Sequence, residues 1–177
     1  DIETTGLDGE RDRITEIGAV LICGGRVKKS FQTFVDPGMP IPPEVTALTG
    51  ITDHDVFGAP SEEEAIRSFL EFVDGRPLVA HNAQFDIGFI SAGAARAGLD
   101  FHPVYIDTLA LSQCLLHELK RHKLDMVARA LGMPEFRHHR ASDDAAVCAN
   151  IDLALLPRLK EKGAVMLRDI EAVSRAQ

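Results

Sequence analysis

Apolar and β-branched residues concentrate in two neighbouring runs near the start of the chain, at residues 14–23 and 27–35. Both runs have the composition of strands, and Gly24-Gly25 between them is a two-residue turn signal, so the pair predicts a β-hairpin. Asp1–Glu3 has the pattern of the end of a further strand. The segment Asp36–Pro43 contains four prolines and predicts an extended loop.

From Ser61 onwards, the apolar residues follow helical spacing that is interrupted by short strand-like runs. Ser61 precedes three glutamates, which is typical of a capped helix start with acids in its first turn. Short runs at 78–80 and 104–106 predict two more strands, and Asp107 is interpreted as the cap of the next helix. Antiparallel strands followed by strand–helix alternation predict an α/β domain with a mixed central sheet flanked by helices. The other predicted helical segments are 44–48, 62–73, 85–97, 107–116, 124–131 and 141–159, and residues 165–176 close the chain.

Length and charge limit the classes of function. A chain of 177 residues fits a single domain, residues 1–177, with a sizeable core. The net charge of -8 argues against tight, nonspecific binding of duplex DNA. It does not argue against chemistry on a few terminal nucleotides, because bound divalent cations neutralise acidic sites. Cys23, Cys114 and Cys148 lie far apart without a CxxC pattern, which predicts buried thiols in a reducing compartment, the cytoplasm.

Three short acidic motifs carry the candidate chemistry. Asp1 and Glu3 are two residues apart in a predicted strand, so their carboxylates point to the same face. Asp86 closes HNAQFD, and Asp144 closes HHRASDD, five residues after His139. Ligand sites in sheets with helical crossovers lie at the carboxyl ends of strands, and Mg²⁺ prefers oxygen ligands of this kind. Together these residues are the parts of a two-metal phosphodiesterase.

Each motif taken alone also fits an ordinary structural role. The first pair of acids fits a solvated strand end, Asp86 fits an acid that pairs with a helix dipole, and His139 fits a surface histidine. Asp143 is adjacent to Asp144 and is interpreted as a surface acid, because the spacing from His139 favours Asp144. The occurrence of all three motifs in this order favours one shared site.

The motifs together resemble the DEDDh family of 3′→5′ exonucleases, the DnaQ-like proofreaders. DIETTGL resembles the first motif of the family, HNAQFD the second and HHRASDD the third, in which histidine marks the h subgroup. VTALTGIT at 45–52 resembles a segment common between the first two motifs. LVAHNAQFDIGFI, IDTLALS and HELKRHKLD look most like the PolC type, the exonuclease domain of a replicative polymerase in many Gram-positive bacteria. The resemblance covers nearly the whole chain and implies an RNase H-like fold.

The resemblance also implies a role for individual residues. Asp1, Glu3, Asp86 and Asp144 would hold two Mg²⁺ or Mn²⁺ ions about 4 Å apart. His139 would act as the general base that takes a proton from the attacking water. The product would be a nucleoside 5′-monophosphate. The implied contacts to the terminal nucleotide are Thr4, Thr5, Gly6, Leu7, Asn82 and Phe85.

The function implied by the resemblance is proofreading for a replicative DNA polymerase III, on single-stranded or frayed DNA 3′ ends. The polymerase would act in cis or in trans. The first strand of the family extends several apolar residues before its first Asp, so we expect this domain to belong to a longer chain. Three alternatives stay open: an exoribonuclease that trims RNA 3′ ends, a catalytically inactive nucleic-acid-binding module, and a zinc protein. The zinc alternative would use His117, His122, His138 and His139, but no Cys pattern or HExxH accompanies them.

Overall fold

The structure is a computed structural model that describes residues 1–136 and 139–161. Three strands come first along the chain, and helices then alternate with two short strands. The strands are β1 (Ile2–Thr4), β2 (Ile14–Cys23), β3 (Arg26–Phe34), β4 (Leu78–Ala80) and β5 (Tyr105–Asp107). The helices are α1 (Pro43–Thr49), α2 (Asp53–Val56), α3 (Glu62–Val73), α4 (Ala83–Arg96), α5 (Thr108–Leu115), α6 (Leu124–Ala130) and α7 (Ala141–Glu161).

The strands pair in both directions. β1, β2 and β3 form an antiparallel sheet in that order, whereas β4 and β5 pair in parallel. The β2–β3 hairpin turns at Gly24 and Gly25, whose φ angles of 60° and 73° lie in the left-handed region that glycine adopts at little steric cost. The predicted α/β class and mixed pairing are confirmed. Within the described residues the strands form two separate sheets, and an apolar cavity of about 580 Å³ lies between β2, β4 and α7.

Helix starts follow the capping signals in the sequence. At α3, the Ser61 hydroxyl accepts a hydrogen bond from the Glu64 amide at 3.3 Å, and the Ser61 amide donates to the Glu64 carboxylate at 2.9 Å. Asp107 caps α5 by accepting from the Leu109 amide at 2.9 Å, as predicted. The short helix α2 was not predicted, because a single turn is too short to show helical periodicity.

Two apolar clusters hold the elements together. One joins α7 to α5 and α6, and the other packs α3 and α4 against β1 and β2. Helix α7 also packs across β2 and therefore connects the two halves of the domain. None of the described helices is both long and apolar enough to cross a membrane. The fully buried aliphatic side chains of these clusters include Ile14, Ile17, Ile66, Leu111, Val127, Ile151 and Leu155.

The predicted boundaries mostly agree with the structure to within two residues, and the predicted closing segment 165–176 lies outside the described residues. The prediction of three buried cysteines is wrong for Cys23, which is exposed. Burial falls steadily along β2, and Cys23 is its last residue before the hairpin turn, beyond the part that the helices cover. Cys114 is half-buried, and Cys148 is buried.

Candidate active site

Strand β1 presents the first two acids of the site. Ile2 is buried, and its neighbours Asp1 and Glu3 point to the opposite face of the strand, because side chains alternate along a strand. The pairing with β2 places Ile2 opposite Ile17 and Glu3 opposite Glu16. The packing of one isoleucine therefore fixes the direction of both flanking carboxylates, as predicted from their spacing.

Asp86 reaches the same strand from the first turn of α4. Its Oδ1 accepts a hydrogen bond from the backbone amide of Ile2 at 3.0 Å, so its carboxylate lies against β1 between Asp1 and Glu3. The side chain is almost fully buried, and this burial raises the pKa of Asp86 above its ordinary value. A carboxylate in a plain helix-dipole role would face solvent, which Asp86 does not.

His139 and Asp144 reach the site from the N-terminal end of α7. The Asp144 Oδ2 accepts a hydrogen bond from the His139 amide at 3.1 Å, and His139 has a left-handed φ of 62°. Asp144 is buried whereas Asp143 is exposed, which agrees with the predicted orientation of the two acids. Ligand atoms of Glu3, His139 and Asp144 all lie within 4.8 Å of one another.

The acids of the cluster lie close together, and this closeness affects the pKa of Glu3. The pKa of Glu3 is raised to about 8, first by burial and then by the nearby charges of Asp144, Glu16 and Asp86. Each of these neighbours is itself a carboxylate. The arrangement therefore disfavours the ionised form of Glu3 unless a positive charge is bound nearby.

The donor set fits a divalent cation. Carboxylate oxygens suit Mg²⁺ and Mn²⁺, and an imidazole nitrogen at this distance can serve as a ligand or as a base beside the ion. Asp1 lines the same cavity as His139 and Asp144, with a volume of about 810 Å³. This cavity gives the cluster an opening through which a substrate can enter. We refer to it below as the active-site cleft.

The residues that hold the end of α7 in place were not predicted from the sequence. Glu16, fully buried on β2, accepts hydrogen bonds from the Arg140 guanidinium at 3.0 and 3.2 Å and from the Ala141 amide at 3.1 Å. Gly18 lies beneath the same turn, and a Cβ there would come within 2.2 Å of the Ala141 carbonyl carbon. The only sequence signal was an acid inside an apolar strand, which indicates a buried and paired charge. These contacts place His139 and Asp144 over β1.

The residues after β1 form a turn whose polar groups are largely satisfied internally. The Thr4 hydroxyl donates to the Gly6 carbonyl at 2.6 Å, and the buried Thr5 hydroxyl accepts from the Arg13 amide at 3.0 Å. A Cβ at Gly6 would collide with the Asp12 carboxylate at 2.3 Å. The side chains of the two threonines are thus used within the turn, and the Thr5 amide donates to the Arg13 carbonyl at 2.8 Å.

Of the remaining predicted contact residues, Asn82 lines the active-site cleft, whereas Leu7 and Phe85 are not among the residues that line it. Leu7 is 86% exposed, so its side chain is accessible to a ligand. Phe85 is half-buried, with its ring 5.0 Å from that of Phe89. Asn82 has a left-handed φ of 66°, lines the active-site cleft, and donates its amide to Asp107 at 2.9 Å.

The histidines do not assemble into a zinc site within the part of the chain that the structure describes. The Nδ1 of His122 hydrogen-bonds to the Ser112 hydroxyl at 3.0 Å, and His117 is exposed. His138 lies outside the described residues. Among the described residues, the metal-compatible group contains His139 as its single histidine.

Comparisons with known proteins agree with this geometry. A family model described as an exonuclease (RNase T) matches residues 1–151. The DNA polymerase III PolC-type of Caldanaerobacter subterraneus is 44% identical over 173 residues, 98% of this chain. The protein of the same name from Thermotoga maritima is 42% identical over 172 residues, 97% of this chain. The chain spans about 12% of the length of both relatives.

Solved structures show the same fold. Exonuclease X in complex with 5′ overhanging duplex DNA is 26% identical, with a TM-score of 0.72, covering 98% of this chain and 96% of that one. The nuclease domain of 3′hExo, a DEDDh family member bound to rAMP, is 20% identical, with a TM-score of 0.74, covering 93% and 90%. The expected RNase H-like fold is therefore confirmed. By its family match and its relatives, the chain belongs to the DEDDh (DnaQ-like) 3′→5′ exonuclease family.

Proposed function

We propose that this domain is a divalent-metal-dependent 3′→5′ exonuclease that removes 5′-mononucleotides from DNA 3′ ends. We further propose that it proofreads for a replicative DNA polymerase III in the cytoplasm, in cis or in trans. The observation that carries the proposal is the buried acidic cluster at the end of the active-site cleft. The likeness to PolC-type polymerases supports DNA as the substrate.

The proposed roles follow the placement of each residue. Asp1, Glu3, Asp86 and Asp144 would hold two ions, Mg²⁺ or Mn²⁺. This is supported by the closeness of Glu3 to Asp144, by the hydrogen bond from the Ile2 amide to Asp86, and by the position of Asp1 on the wall of the cleft. When bound, such ions acidify the attacking water and stabilise the charge that develops at phosphorus. The same ions would offset the crowding that raises the pKa of Glu3.

His139 is the proposed general base. The water oxygen forms a bond to the terminal phosphorus, the bond from phosphorus to the 3′ oxygen of the penultimate nucleotide breaks, and His139 accepts the proton of the water. The released 3′ oxygen takes a proton from solvent. The products are a nucleoside 5′-monophosphate and a strand that is one nucleotide shorter.

Terminal nucleotide contacts are proposed around this centre. Leu7 and Phe85 would flank the last base, since one is exposed and the other is only half-buried. Apolar flanking contacts the face of a base and gives little sequence preference. Paired ends must first unstack to enter such a slot, so mismatched ends would be favoured. Backbone groups of Thr4, Thr5 and Gly6, together with Asn82, would contact the sugar and phosphate.

The test uses 5′-labelled single-stranded DNA and RNA of equal sequence, with Mg²⁺, Mn²⁺ or EDTA. We expect a ladder that shortens from the 3′ end, release of 5′-mononucleotides, faster cleavage of DNA, and no cleavage in EDTA. Faster cleavage of RNA would favour the exoribonuclease alternative. Full activity in EDTA would rule out the metal-dependent mechanism, and binding without cleavage in any metal would favour an inactive module.

A further inference from the structure

A basic loop lines the active-site cleft of this acidic protein. Residues 116–123 connect α5 to α6, and Arg121, His122 and Lys123 line the same cavity as Asp1 and Asp144. The chain as a whole carries a net charge of -8. Arg121 and Lys123 are therefore two positive charges on an acidic protein. They line the cleft through which a nucleic-acid strand would reach the acidic cluster.

The two cations are available for a ligand. Arg121 and Lys123 are exposed, and neither side chain has a hydrogen bond or ion pair within residues 1–136 and 139–161. Other surface arginines of the molecule are paired, such as Arg67 with Glu63 and Arg96 with Glu62. An unpaired guanidinium and an unpaired ammonium on a cavity wall suit phosphate oxygens, which arginine binds in bidentate geometry and lysine as a point charge.

The loop is held by a half-buried histidine from the second motif, His81. The His122 carbonyl can only accept a hydrogen bond, so the Nε2–H of His81 donates to it, at 2.7 Å. Burial lowers the pKa of His81, which favours the neutral ring. Its Nδ1 lies 3.0 Å from the Thr108 hydroxyl oxygen, and that hydroxyl donates to the Ala80 carbonyl at 3.2 Å. The Ser112 hydroxyl holds the His122 ring at 3.0 Å. The backbone between Arg121 and Lys123 is thus fixed relative to β4 and α5.

We propose that Arg121 and Lys123 form a binding site for the phosphodiester backbone of single-stranded DNA, upstream of its terminal nucleotide. His81 is a positioning residue, which acts through the backbone of His122 and does not contact the substrate. This inference rests on the proposed exonuclease function and adds a second contact to its substrate. It explains how an acidic domain retains a polyanionic strand: the cations lie where the strand enters, while the carboxylates lie at its end.

The first experiment measures binding separately from cleavage. Fluorescence anisotropy of labelled oligo(dT) is recorded in EDTA over a range of salt concentrations, for the wild type and for a variant with Arg121→Ala and Lys123→Ala. We expect about 10- to 100-fold weaker binding, and a salt slope that is smaller by about 1.4, since each phosphate contact to a single strand contributes about 0.7. In cleavage assays, the loss should fall mainly on KM.

A matched control removes the same charge elsewhere. Lys28→Ala with Lys29→Ala changes the net charge equally, on exposed residues of β3 that do not line the active-site cleft. We expect this control to bind oligo(dT) and to cleave it like the wild type. Equal weakening by both double variants, or no weakening by the Arg121 and Lys123 pair, would overturn the site. Because binding is read in EDTA, these outcomes are distinct from a protein that simply fails to cleave.

The positioning role of His81 has its own test. His81→Ala removes the donor to His122 and should weaken oligo(dT) binding, whereas His81→Gln places an amide donor near the position of Nε2 and should restore it. Adding His81→Ala to the Arg121 and Lys123 variant should cause little further loss, because residues that act through one another are not additive. Full additivity, or an equal loss in the Gln variant, would reject this role.

Discussion

Glu3 and Glu16 lie directly opposite each other on neighbouring antiparallel strands, yet the fold treats the two carboxylates differently. Glu16 is surrounded by donors: the Arg140 guanidinium, the Ala141 amide and the Gln32 side chain, the last at 2.8 Å. Glu3 is surrounded by acids, and its pKa rises to about 8 through burial and through the charges of Asp144, Glu16 and Asp86. Two identical side chains one strand apart therefore have opposite electrostatic environments.

The difference separates a structural carboxylate from a functional one. A buried charge that is paired and hydrogen-bonded contributes to a defined structure, here the position of the α7 terminus. A buried charge left among like charges is unfavourable for the fold by itself, and such groups concentrate at functional sites. We infer that Glu16 supports the site, and that Glu3 is kept for a bound cation.

The largest expected effect is the loss of activity in Glu3→Gln. The change keeps the volume of the side chain but removes a proposed metal ligand, so we expect the rate to fall by about 10³-fold or more, the equivalent of several kcal/mol of transition-state stabilisation. The metal-free protein should remain folded, since one of several crowded charges is removed. Steady-state cleavage and urea unfolding in EDTA measure the two effects.

Asp86→Asn is the companion of this variant from another element. It should also lose activity, because Asp86 contributes a fixed anion to the same strand. Glu71→Gln, on the exposed surface of α3, is the control and should resemble the wild type. Retained activity in both Glu3→Gln and Asp86→Asn would contradict a metal centre at the end of β1.

His139→Ala is expected to have the next largest effect. General-base assistance contributes about 10²- to 10⁴-fold, and metal binding should persist because the carboxylates remain. Residual activity of the variant should rise with pH, since hydroxide replaces the missing base. The measurement is the pH–rate profile of both proteins at saturating metal.

His138→Ala is the control for the register of the third motif. It is adjacent to His139 in sequence, and we expect activity near that of the wild type. If His138→Ala loses activity while His139→Ala keeps it, the assignment of the motif is shifted by one residue. If both keep it, this site does not use a histidine base.

Glu16→Gln should lower the stability strongly and the activity only moderately, which is the reverse of the effects expected for Glu3→Gln. It leaves the Arg140 guanidinium without its carboxylate, and breaking a buried ion pair in this way costs about 3 to 5 kcal/mol. Activity should fall by a smaller factor, roughly 10-fold, because His139 and Asp144 are displaced and not removed. Urea unfolding and cleavage rates measured on the same preparations show whether stability and activity separate. A stable, inactive Glu16→Gln variant would make Glu16 part of the chemical centre instead.

Much of the fold could be predicted from the sequence, because hydrophobic patterns and capping residues act over neighbouring positions in the chain. The span of β2 and the Ser61 capping box depend on side chains next to each other in the chain. Asp86 and Asp144 could be placed at helix starts for the same reason. Their convergence on β1 is a long-range property, and it was predicted from the order of the motifs at strand and helix ends and from the family resemblance.

The parts that were missed depend on contacts between distant segments. Glu16 fixes the start of α7 only because Arg140, 124 positions later, donates a hydrogen bond to it. The link from His81 to His122 spans 41 positions. No periodicity or motif relates such pairs in a single sequence. Cys23 was misplaced because an apolar strand pattern does not show how far along the strand the helices extend.

Asp152 has a pKa that is raised by burial alone, which makes it a useful comparison with Glu3. It lies on α7 in the apolar cavity between the sheets, its Oδ1 has no hydrogen-bond partner within the described residues, and its pKa is raised to about 6 by burial. Unlike Glu3, its pKa is not raised by surrounding acids. Because the pKa of Asp152 is higher in the folded state, the folded protein binds this proton more tightly than the unfolded chain does. Protonation of Asp152 therefore contributes to the free energy of unfolding in full below about pH 4, and this contribution is lost as the pH rises through about 6.

The smallest effect on activity is therefore expected for Asp152→Asn, together with a clear effect on pH dependence. Between pH 4 and 7 the wild type should lose on the order of 2 to 3 kcal/mol of unfolding free energy that the variant does not lose. Urea unfolding in EDTA at several pH values measures the difference, with the exposed Asp100→Asn as the control. Cleavage by Asp152→Asn should stay near the wild-type rate, because a raised pKa without neighbouring acids creates no cation site. Loss of cleavage in this variant would mean that the proposed centre extends along α7 beyond Asp144.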